Sequence, residues 1–169
     1  MKIVRAKLED IPIIVKMKIE MFKENGVISL LQDNVENKIQ QKYTLLYNED
    51  KCCHFIAYDG DTVVAIGGAV IKDDVPFCFF RNPYYGYIID IYCIPEKRRQ
   101  GYATKIMESV LSWLEEKEIK TIKLKPSEKG RLMYEKMGFY NSGEMEKHNW
   151  IILNILYDDS MKKDKKIQT

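Results

Sequence analysis

Apolar residues recur along the chain first with helical and then with strand spacing, and this order predicts a mixed α/β fold. After a short strand over residues 3–6, apolar positions three and four residues apart predict a helix from Asp10, its N-cap, to about Phe22. A second helix begins at Asp33 or Asn34. Its apolar stripe consists of Val35, Ile39, Tyr43 and Leu46.

The middle of the chain has strand character. Residues 54–58 and 62–71 are β-branched and aromatic runs joined by Asp59-Gly60-Asp61, which predicts a hairpin. Gly67-Gly68 within the second run predicts a bulge or a close backbone approach. A third strand is expected over residues 87–94, ended by Pro95.

A long amphipathic helix follows and must cover a sheet. It is expected from Gly101 to Lys117, with an apolar stripe of Ala103, Ile106, Met107, Val110, Leu111 and Leu114. A strand over residues 120–125 and a helix capped by Ser127 and ended by Gly138 come next. The last predicted strand covers residues 150–157.

Composition and charge exclude several classes of protein. The 169 residues are 46% hydrophobic and 31% charged, which is typical of one globular domain. The formal charge of +2 gives no general attraction to nucleic acid or to an anionic membrane. The start of the sequence shows no apolar leader, and no run is long enough to cross a membrane, so a cytoplasmic protein is expected. The four cysteines form no C-x-x-C pair and only two histidines occur, so we expect reduced packing cysteines and no metal site.

The start of the long helix has the properties of an anion site. Helical N–H groups of a first turn lack intrahelical acceptors and lie at the positive end of the helix dipole. Gly101 lets a ligand approach the backbone, and Arg98 and Arg99 add positive charge. A pyrophosphate would suit this loop, although a helix start with two exposed arginines is also common without a ligand. The sequence lacks the P-loop and G-x-G-x-x-G patterns, which disfavours an NTPase or a Rossmann dehydrogenase.

Residues 91–103, IYCIPEKRRQGYA, resemble the acetyl-CoA-binding core of the GNAT family, the Gcn5-related N-acetyltransferases. The family loop Gln/Arg-x-x-Gly-x-Gly/Ala is matched by Arg98, Gly101 and Ala103. Residues 130–139, GRLMYEKMGF, are similar to the segment that carries the C-terminal Tyr and the following Gly-Phe of that family. The resemblance implies an α/β (α+β sandwich) fold with a mixed, mostly antiparallel twisted sheet flanked by helices. It places acetyl-CoA in the cleft between the central parallel strands.

The resemblance also implies a set of cofactor contacts. The pantetheine arm would pair with the strand over residues 87–94, and a backbone N–H near Tyr92 or Cys93 would polarise the thioester carbonyl. The pyrophosphate would lie on the amides of residues 99–104. Ser127 stands where the family often has an Asn that contacts the pantetheine arm. The complete implied set is Ile91, Tyr92, Cys93, Arg98, Arg99, Gln100, Gly101, Tyr102, Ala103, Thr104 and Ser127.

Two residues are candidates for catalysis. Tyr134 matches the family Tyr that protonates the departing CoA thiolate; without that context it would be a packing Tyr. Asp90 is the only charged residue between Tyr84 and Ile94, and burial on an apolar strand should raise its pKa, as suits a base that deprotonates an ammonium. The alternative for Asp90 is a carboxylate satisfied by backbone or Tyr donors. Cys93 has no basic neighbour in sequence, so an acyl-enzyme through its thiol is not expected.

The resulting expectation is transfer of acetyl from acetyl-CoA to a primary amine, in a direct ternary-complex attack. A small-molecule acceptor is expected; a protein or peptide amine, and a non-catalytic CoA-binding sensor, stay open as alternatives. The aromatic residues of the preceding loop could wall an acceptor pocket, pack internally or contact a second copy in a homodimer. They are Phe77, Phe79, Phe80, Tyr84 and Tyr85. We expect one domain over residues 1–157 and a solvated basic tail over residues 158–169.

Overall fold

The computed structural model of the protein describes residues 1–75 and 83–145. Nine α-helices and β-strands lie in these two ranges. They are β1 (Lys2–Arg5), α1 (Ile11–Glu24), α2 (Val35–Asn48), β2 (Cys52–Asp59), β3 (Thr62–Asp73), β4 (Tyr84–Cys93), α3 (Tyr102–Glu116), β5 (Ile122–Lys123) and α4 (Arg131–Lys136). The predicted strand over residues 150–157, the basic tail, and Phe77, Phe79 and Phe80 lie outside the described residues.

The five strands form one sheet in the order β1-β2-β3-β4-β5. Neighbouring strands are antiparallel except β4 and β5, which are parallel. The hairpin between β2 and β3 turns through Gly60 and Asp61, because Asp59 pairs with Thr62. The prediction of a mixed, mostly antiparallel sheet flanked by helices is therefore confirmed.

The helices cover the two faces of this sheet. α1 and α2 pack together on one face, over a core that includes Ile14, Ile56 and Ile66. α3 covers the other face and buries the side chains of Tyr102, Ile106, Met107, Val110, Trp113 and Leu114. Most of the predicted stripe is thus confirmed, with Tyr102 and Trp113 added to it. Their aromatic rings extend the buried face beyond the aliphatic positions.

A bulge interrupts the ladder between β3 and β4. Ile66 pairs with Tyr92 and Gly68 pairs with Ile89, so β4 has one residue more than β3 in this interval. Asp90, in that interval, has a left-handed φ of 59°. The bulge expected at Gly67-Gly68 is found at this level of the sheet, but the extra residue is on β4. Gly67 and Gly68 do provide the expected close approach, since a Cβ on Gly68 would lie 2.4 Å from the carbonyl oxygen of Cys53.

The C-terminal part of the described chain differs from expectation. Ser127 does not cap a helix: α4 begins after Gly130, whose carbonyl accepts hydrogen bonds from the N–H groups of Met133 and Tyr134. The helix does end as expected, because Gly138 has a φ of 88°. β5 is shorter than predicted, since its pairing with β4 extends over two residues.

The chain divides into two compact units, residues 1–127 and 128–169. All five strands and α1–α3 belong to the first unit, and α4 belongs to the second. None of the helices in the described part of the chain combines the length and the apolar character of a membrane span. The expectation of one domain over residues 1–157 stays a prediction.

Candidate active site

The C-terminal half of β4 has a free edge in the described part of the sheet. β5 pairs with β4 only at Gly86 and Tyr87. The Ile94 N–H donates to the Val64 carbonyl, 3.0 Å away, and main-chain groups alternate between the two edges of an antiparallel strand. The N–H and carbonyl of Cys93 therefore point away from β3, toward the free edge. Of the two positions expected to offer a donor there, the backbone geometry selects Cys93.

The loop after β4 leads from this edge to the start of α3. It contains a 3₁₀ turn over Pro95–Lys97 and two left-handed residues, Arg99 with a φ of 63° and Gly101 with a φ of 84°. Gly101 is the N-cap of α3, and no side chain caps the helix. The first-turn amides of Tyr102, Ala103 and Thr104 therefore have no helical acceptor.

This loop has room for an anionic group. Arg99, Gln100 and Gly101 are exposed, and a Cβ placed on Gly101 would have nothing within 4 Å. Glycine adopts this positive φ without strain, and because it has no side chain it leaves the backbone accessible to a ligand. The donor set and the open surface fit a pyrophosphate.

Arg98 and Arg99 have different surroundings. The Arg98 guanidinium donates from Nε to the Cys93 carbonyl, 2.9 Å away, and forms an ion pair with Glu24 at the end of α1. It also lies over the ring of Tyr92. Arg98 thus connects the end of β4 to α1 through its contacts with Cys93 and Glu24, whereas Arg99 is exposed on the loop.

The three predicted contact residues on β4 have side chains that point to different faces. Ile91 faces α3, because a Cβ on Gly67 would meet both the Cδ1 of Ile91 and the Cγ2 of Ile106, which lies on α3. Tyr92 belongs to the core under α1 and α2. Cys93 is a free thiol whose pKa burial raises, which agrees with a packing role and not with a thiolate nucleophile. Cys52 and Cys53 are also free and buried, as expected.

Asp90 lies at the centre of a buried polar network on the face covered by α1 and α2. One carboxylate oxygen forms an ion pair with the ammonium of Lys18, and the other accepts a hydrogen bond from the Tyr43 hydroxyl. His54 Nε2 lies 3.1 Å from that second oxygen, and His54 Nδ1 lies 3.0 Å from the Tyr47 hydroxyl. Lys18 Nζ also donates to the Tyr43 hydroxyl at 2.9 Å. We call these five residues the Asp90 network.

The expectation of a raised pKa for Asp90 is wrong. Burial does act to raise the pKa of this carboxyl, but the hydrogen bond from His54 and the positive charge of Lys18 outweigh it, and the pKa is lowered. The isolation of Asp90 in the sequence concealed these partners, which come from β2 and α1. The proposed role as a base stays a prediction, while the Tyr donor of the alternative interpretation is present as Tyr43.

The sequence held a signal for the most important missed residue. Lys18 occupies the apolar stripe of α1, seven residues after Ile11 and four before Phe22, so its side chain is directed toward the sheet. A charged residue at such a position requires a buried counter-charge. Tyr43 is buried on α2, as its position in the predicted apolar stripe indicates. His54 lies on the same face of β2 as Ile56, but the sequence alone shows no partner for its side chain.

Tyr134 and Ser127 are the two predicted site residues that follow β5 in the chain. Tyr134 is on α4, where its ring makes an edge contact with that of Phe139. Burial raises the pKa of Tyr134 to about 12, so its hydroxyl is protonated at neutral pH. Ser127 is exposed and precedes the turn that leads into α4. Among residues 1–75 and 83–145 no group of three or more His, Cys, Asp or Glu side chains could hold a metal ion.

Comparison with known proteins identifies relatives of this fold. The family model described as Acetyltransferase (GNAT) family matches residues 22–139. No curated protein sequence matches the chain.

A predicted acetyltransferase from Clostridium acetobutylicum, solved with acetyl-CoA, is 22% identical over 88% of this chain and 95% of its own, with a TM-score of 0.79. A GCN5-related N-acetyltransferase from Ralstonia eutropha is 20% identical over 88% of this chain and 97% of its own, with a TM-score of 0.76. An aminoglycoside 6'-N-acetyltransferase from Acinetobacter haemolyticus is 17% identical over 89% of this chain and 98% of its own, with a TM-score of 0.67.

Proposed function

Because the chain belongs to the GNAT acetyltransferase family, we propose that it transfers the acetyl group of acetyl-CoA to a primary amine of a small molecule. The observation that carries this proposal is the free edge of β4 leading directly to the uncapped start of α3. A main-chain edge suits an amide-containing chain, and a helix start suits a pyrophosphate. The relatives include enzymes that act on aminoglycosides, which supports a small-molecule acceptor.

The residues of this chain then have defined tasks. Acetyl-CoA supplies the acetyl group as a thioester. The amides of residues 99–104 bind the pyrophosphate, with Arg99 adding charge, and the outer edge of β4 through Ile91, Tyr92 and Cys93 holds the pantetheine arm. The Cys93 N–H donates to the thioester carbonyl and stabilises the negative charge that develops there. Ser127 contacts the arm from the segment that follows β5.

Tyr134 is proposed as the donor to the sulfur that leaves. A thiol has a pKa of about 8.5, so a phenol with a pKa of about 12 does not give up its proton completely to the thiolate. It donates a hydrogen bond that strengthens as negative charge builds on the sulfur, and the proton that the attacking amine loses passes through water to the thiolate, which leaves as the CoA thiol. Asp90 is better suited to anchoring Lys18 than to abstracting a proton, because three donors already occupy its oxygens. The cytoplasmic location and a homodimer stay predictions.

The test combines binding and turnover. Acetyl-CoA at 100 times its Kd should add about 2.7 kcal/mol to the free energy of unfolding, seen as a higher Tm. Gly101→Val should remove this shift, because a β-branched residue would distort the left-handed N-cap and fill the space above it. Gly26→Val is the matched control, since Gly26 also has a positive φ and open space but lies at the end of α1.

CoA release with a panel of amines then separates an enzyme from a CoA-binding sensor. An enzyme releases CoA in proportion to an added amine, and a sensor binds without release. Wild-type affinity in a folded Gly101→Val variant would contradict the assignment of the loop.

A further inference from the structure

We propose that Lys18 is a specificity-determining residue, which donates a hydrogen bond to an anionic oxygen group, a carboxylate or a phosphate, on the amine acceptor. This inference rests on the proposed function and names the class of its acceptor. Two observations support it. The Asp90 network holds the Lys18 ammonium in place, and its contacts among the described residues use two of the three ammonium N–H groups.

The network fixes the ammonium beside β4. Lys18 Nζ contacts Asp90, which is the bulge residue of that strand, and the Tyr43 hydroxyl. Asp90 is in turn held by His54, whose side chain has no exposed surface. A lysine side chain with four rotatable bonds is thereby restricted to one position, which lowers the entropy lost when it binds a further group.

The ammonium keeps one donor for a ligand. An ammonium has three N–H groups, and among the described residues its hydrogen-bond partners are Asp90 and Tyr43. The side chain is 17% exposed, whereas the Asp90 side chain is 2% exposed. Lys18 is therefore the member of this charged pair that a ligand can reach, and Asp90 is shielded behind it.

The surroundings favour approach from this face. α3 lies tightly against the other face of the sheet, since a Cβ on Gly67 would lie 2.5 Å from Ile106 and one on Gly86 would lie 2.7 Å from Leu114. An acceptor that reaches the free edge of β4 therefore has access to the face covered by α1 and α2, where the Lys18 ammonium is partly exposed. The rings of Phe22 and Tyr43 flank the ammonium, with centroids 5.5 and 5.4 Å from Nζ. These rings suit an acceptor with an apolar body between its amine and its anionic group.

The same arrangement disfavours acceptors with several positive charges. An exposed carboxylate would attract a polycation, but the carboxylate of Asp90 is buried and paired with the ammonium of Lys18. A second ammonium near Lys18 would be repelled in a partly buried environment, where screening is weak.

The experiment uses pairs of amines that differ by one anionic group. Phenylalanine is compared with phenethylamine for a carboxylate, and glucosamine 6-phosphate with glucosamine for a phosphate. For each amine the kcat/KM and, in the presence of CoA, the calorimetric Kd are measured on the wild-type protein. We expect the anionic member of at least one pair to be preferred about tenfold or more in both quantities, as a charge-assisted hydrogen bond implies. The pair that responds identifies the anionic group.

Three variants assign the preference to Lys18. Lys18→Met keeps an unbranched side chain, one atom shorter and without charge, and should abolish the preference. Because this variant leaves Asp90 without its counter-charge and can fail to fold, Lys18→Met/Asp90→Asn removes both charges and should give the same result. Lys16→Met, on the exposed side of the same helix, should keep the preference.

Equal values for both members of both pairs in the wild type, or a preference that persists without Lys18, would overturn the inference and leave the proposed function intact. An absence of CoA release with every amine would instead overturn the proposed function, and this inference with it.

Discussion

Asp90 combines a rare backbone conformation with a buried charge, and both restrict what can replace it. Its φ of 59° is tolerated by Asp, Asn and Gly far better than by other residues, so Asp90→Asn changes the charge while keeping the backbone. Removing this charge leaves the Lys18 ammonium without its partner. We expect a loss of about 3 kcal/mol in the free energy of unfolding at pH 7, as for other broken buried pairs.

The pH dependence of that loss follows from the direction of the pKa shift. Because the pKa of Asp90 is lowered in the folded protein, the stabilisation is present above the unfolded value of about 3.9 and decreases as the pH falls below it. The difference between wild type and Asp90→Asn should shrink by about 1 kcal/mol between pH 5 and pH 3. Denaturant unfolding of both proteins across this range measures it, and a difference that grows on acidification would contradict the assignment.

The same variant separates the two interpretations of Asp90. An anchoring carboxylate predicts that Asp90→Asn loses activity at every pH together with stability. A general base predicts instead a loss of activity concentrated at low pH, where free amine is scarce, so the pH profile of activity separates the two interpretations.

Tyr134→Phe tests the hydrogen bond from the Tyr134 hydroxyl to the leaving sulfur. The ring and its contact with Phe139 are kept, so folding and acetyl-CoA binding should be unchanged while kcat falls about 10²-fold or more. The loss should be smaller with thioesters of more acidic thiols. Since the pKa of Tyr134 is about 12, an alkaline change in kcat below pH 10 has another origin and should persist in the variant. Wild-type kcat under conditions where chemistry is rate-limiting would remove Tyr134 from the mechanism.

At the scale of elements, the contact between β2 and β3 depends on Gly68. A Cβ there would lie 2.4 Å from a backbone oxygen of Cys53 and 2.5 Å from the ring of His54, and a backbone atom cannot rotate away. Gly68→Ala should therefore cost about 3 kcal/mol of unfolding free energy and disturb the Asp90 network. Gly60→Ala, in the open turn of the same hairpin, should cost about 1 kcal/mol. Thermal and denaturant unfolding compare the two, and equal costs would contradict the packing.

The elements themselves could be predicted where local signals are strong. α1, α2, α3 and the β2–β3 hairpin follow from apolar spacing, helix ends and a Gly turn. The position of the extra residue at the bulge could not be predicted, because it depends on the register between β3 and β4. Gly67-Gly68 marked the level of the bulge, but the same glycines are also explained by close packing. Ser127 is a residue type that often caps helices, yet a turn occupies residues 128–130. The helix therefore begins at Arg131, with Gly130 as its N-cap.

At the scale of the whole molecule, the two parts of the candidate site differ in how far sequence reveals them. The loop from Arg98 to Thr104 is contiguous, so its chemistry is visible in one segment. The Asp90 network joins Asp90 to residues that are 36 to 72 positions away in the chain, and only the fold brings them together. For this reason the charge of Asp90 was identified from sequence, but the sign of its pKa shift was not.

The free edge of β4 also affects how copies of the protein interact with each other. Main-chain donors and acceptors without a strand partner in the described sheet are a template on which a second chain can add a strand, which is a route to self-association. A ligand that pairs with this edge blocks that route in addition to stabilising the fold. Light scattering of concentrated protein should therefore show slower growth of aggregates with CoA than without it. Gly101→Val should gain no such protection from CoA, and equal growth of wild-type aggregates in both conditions would mean that the edge is not the surface through which copies associate.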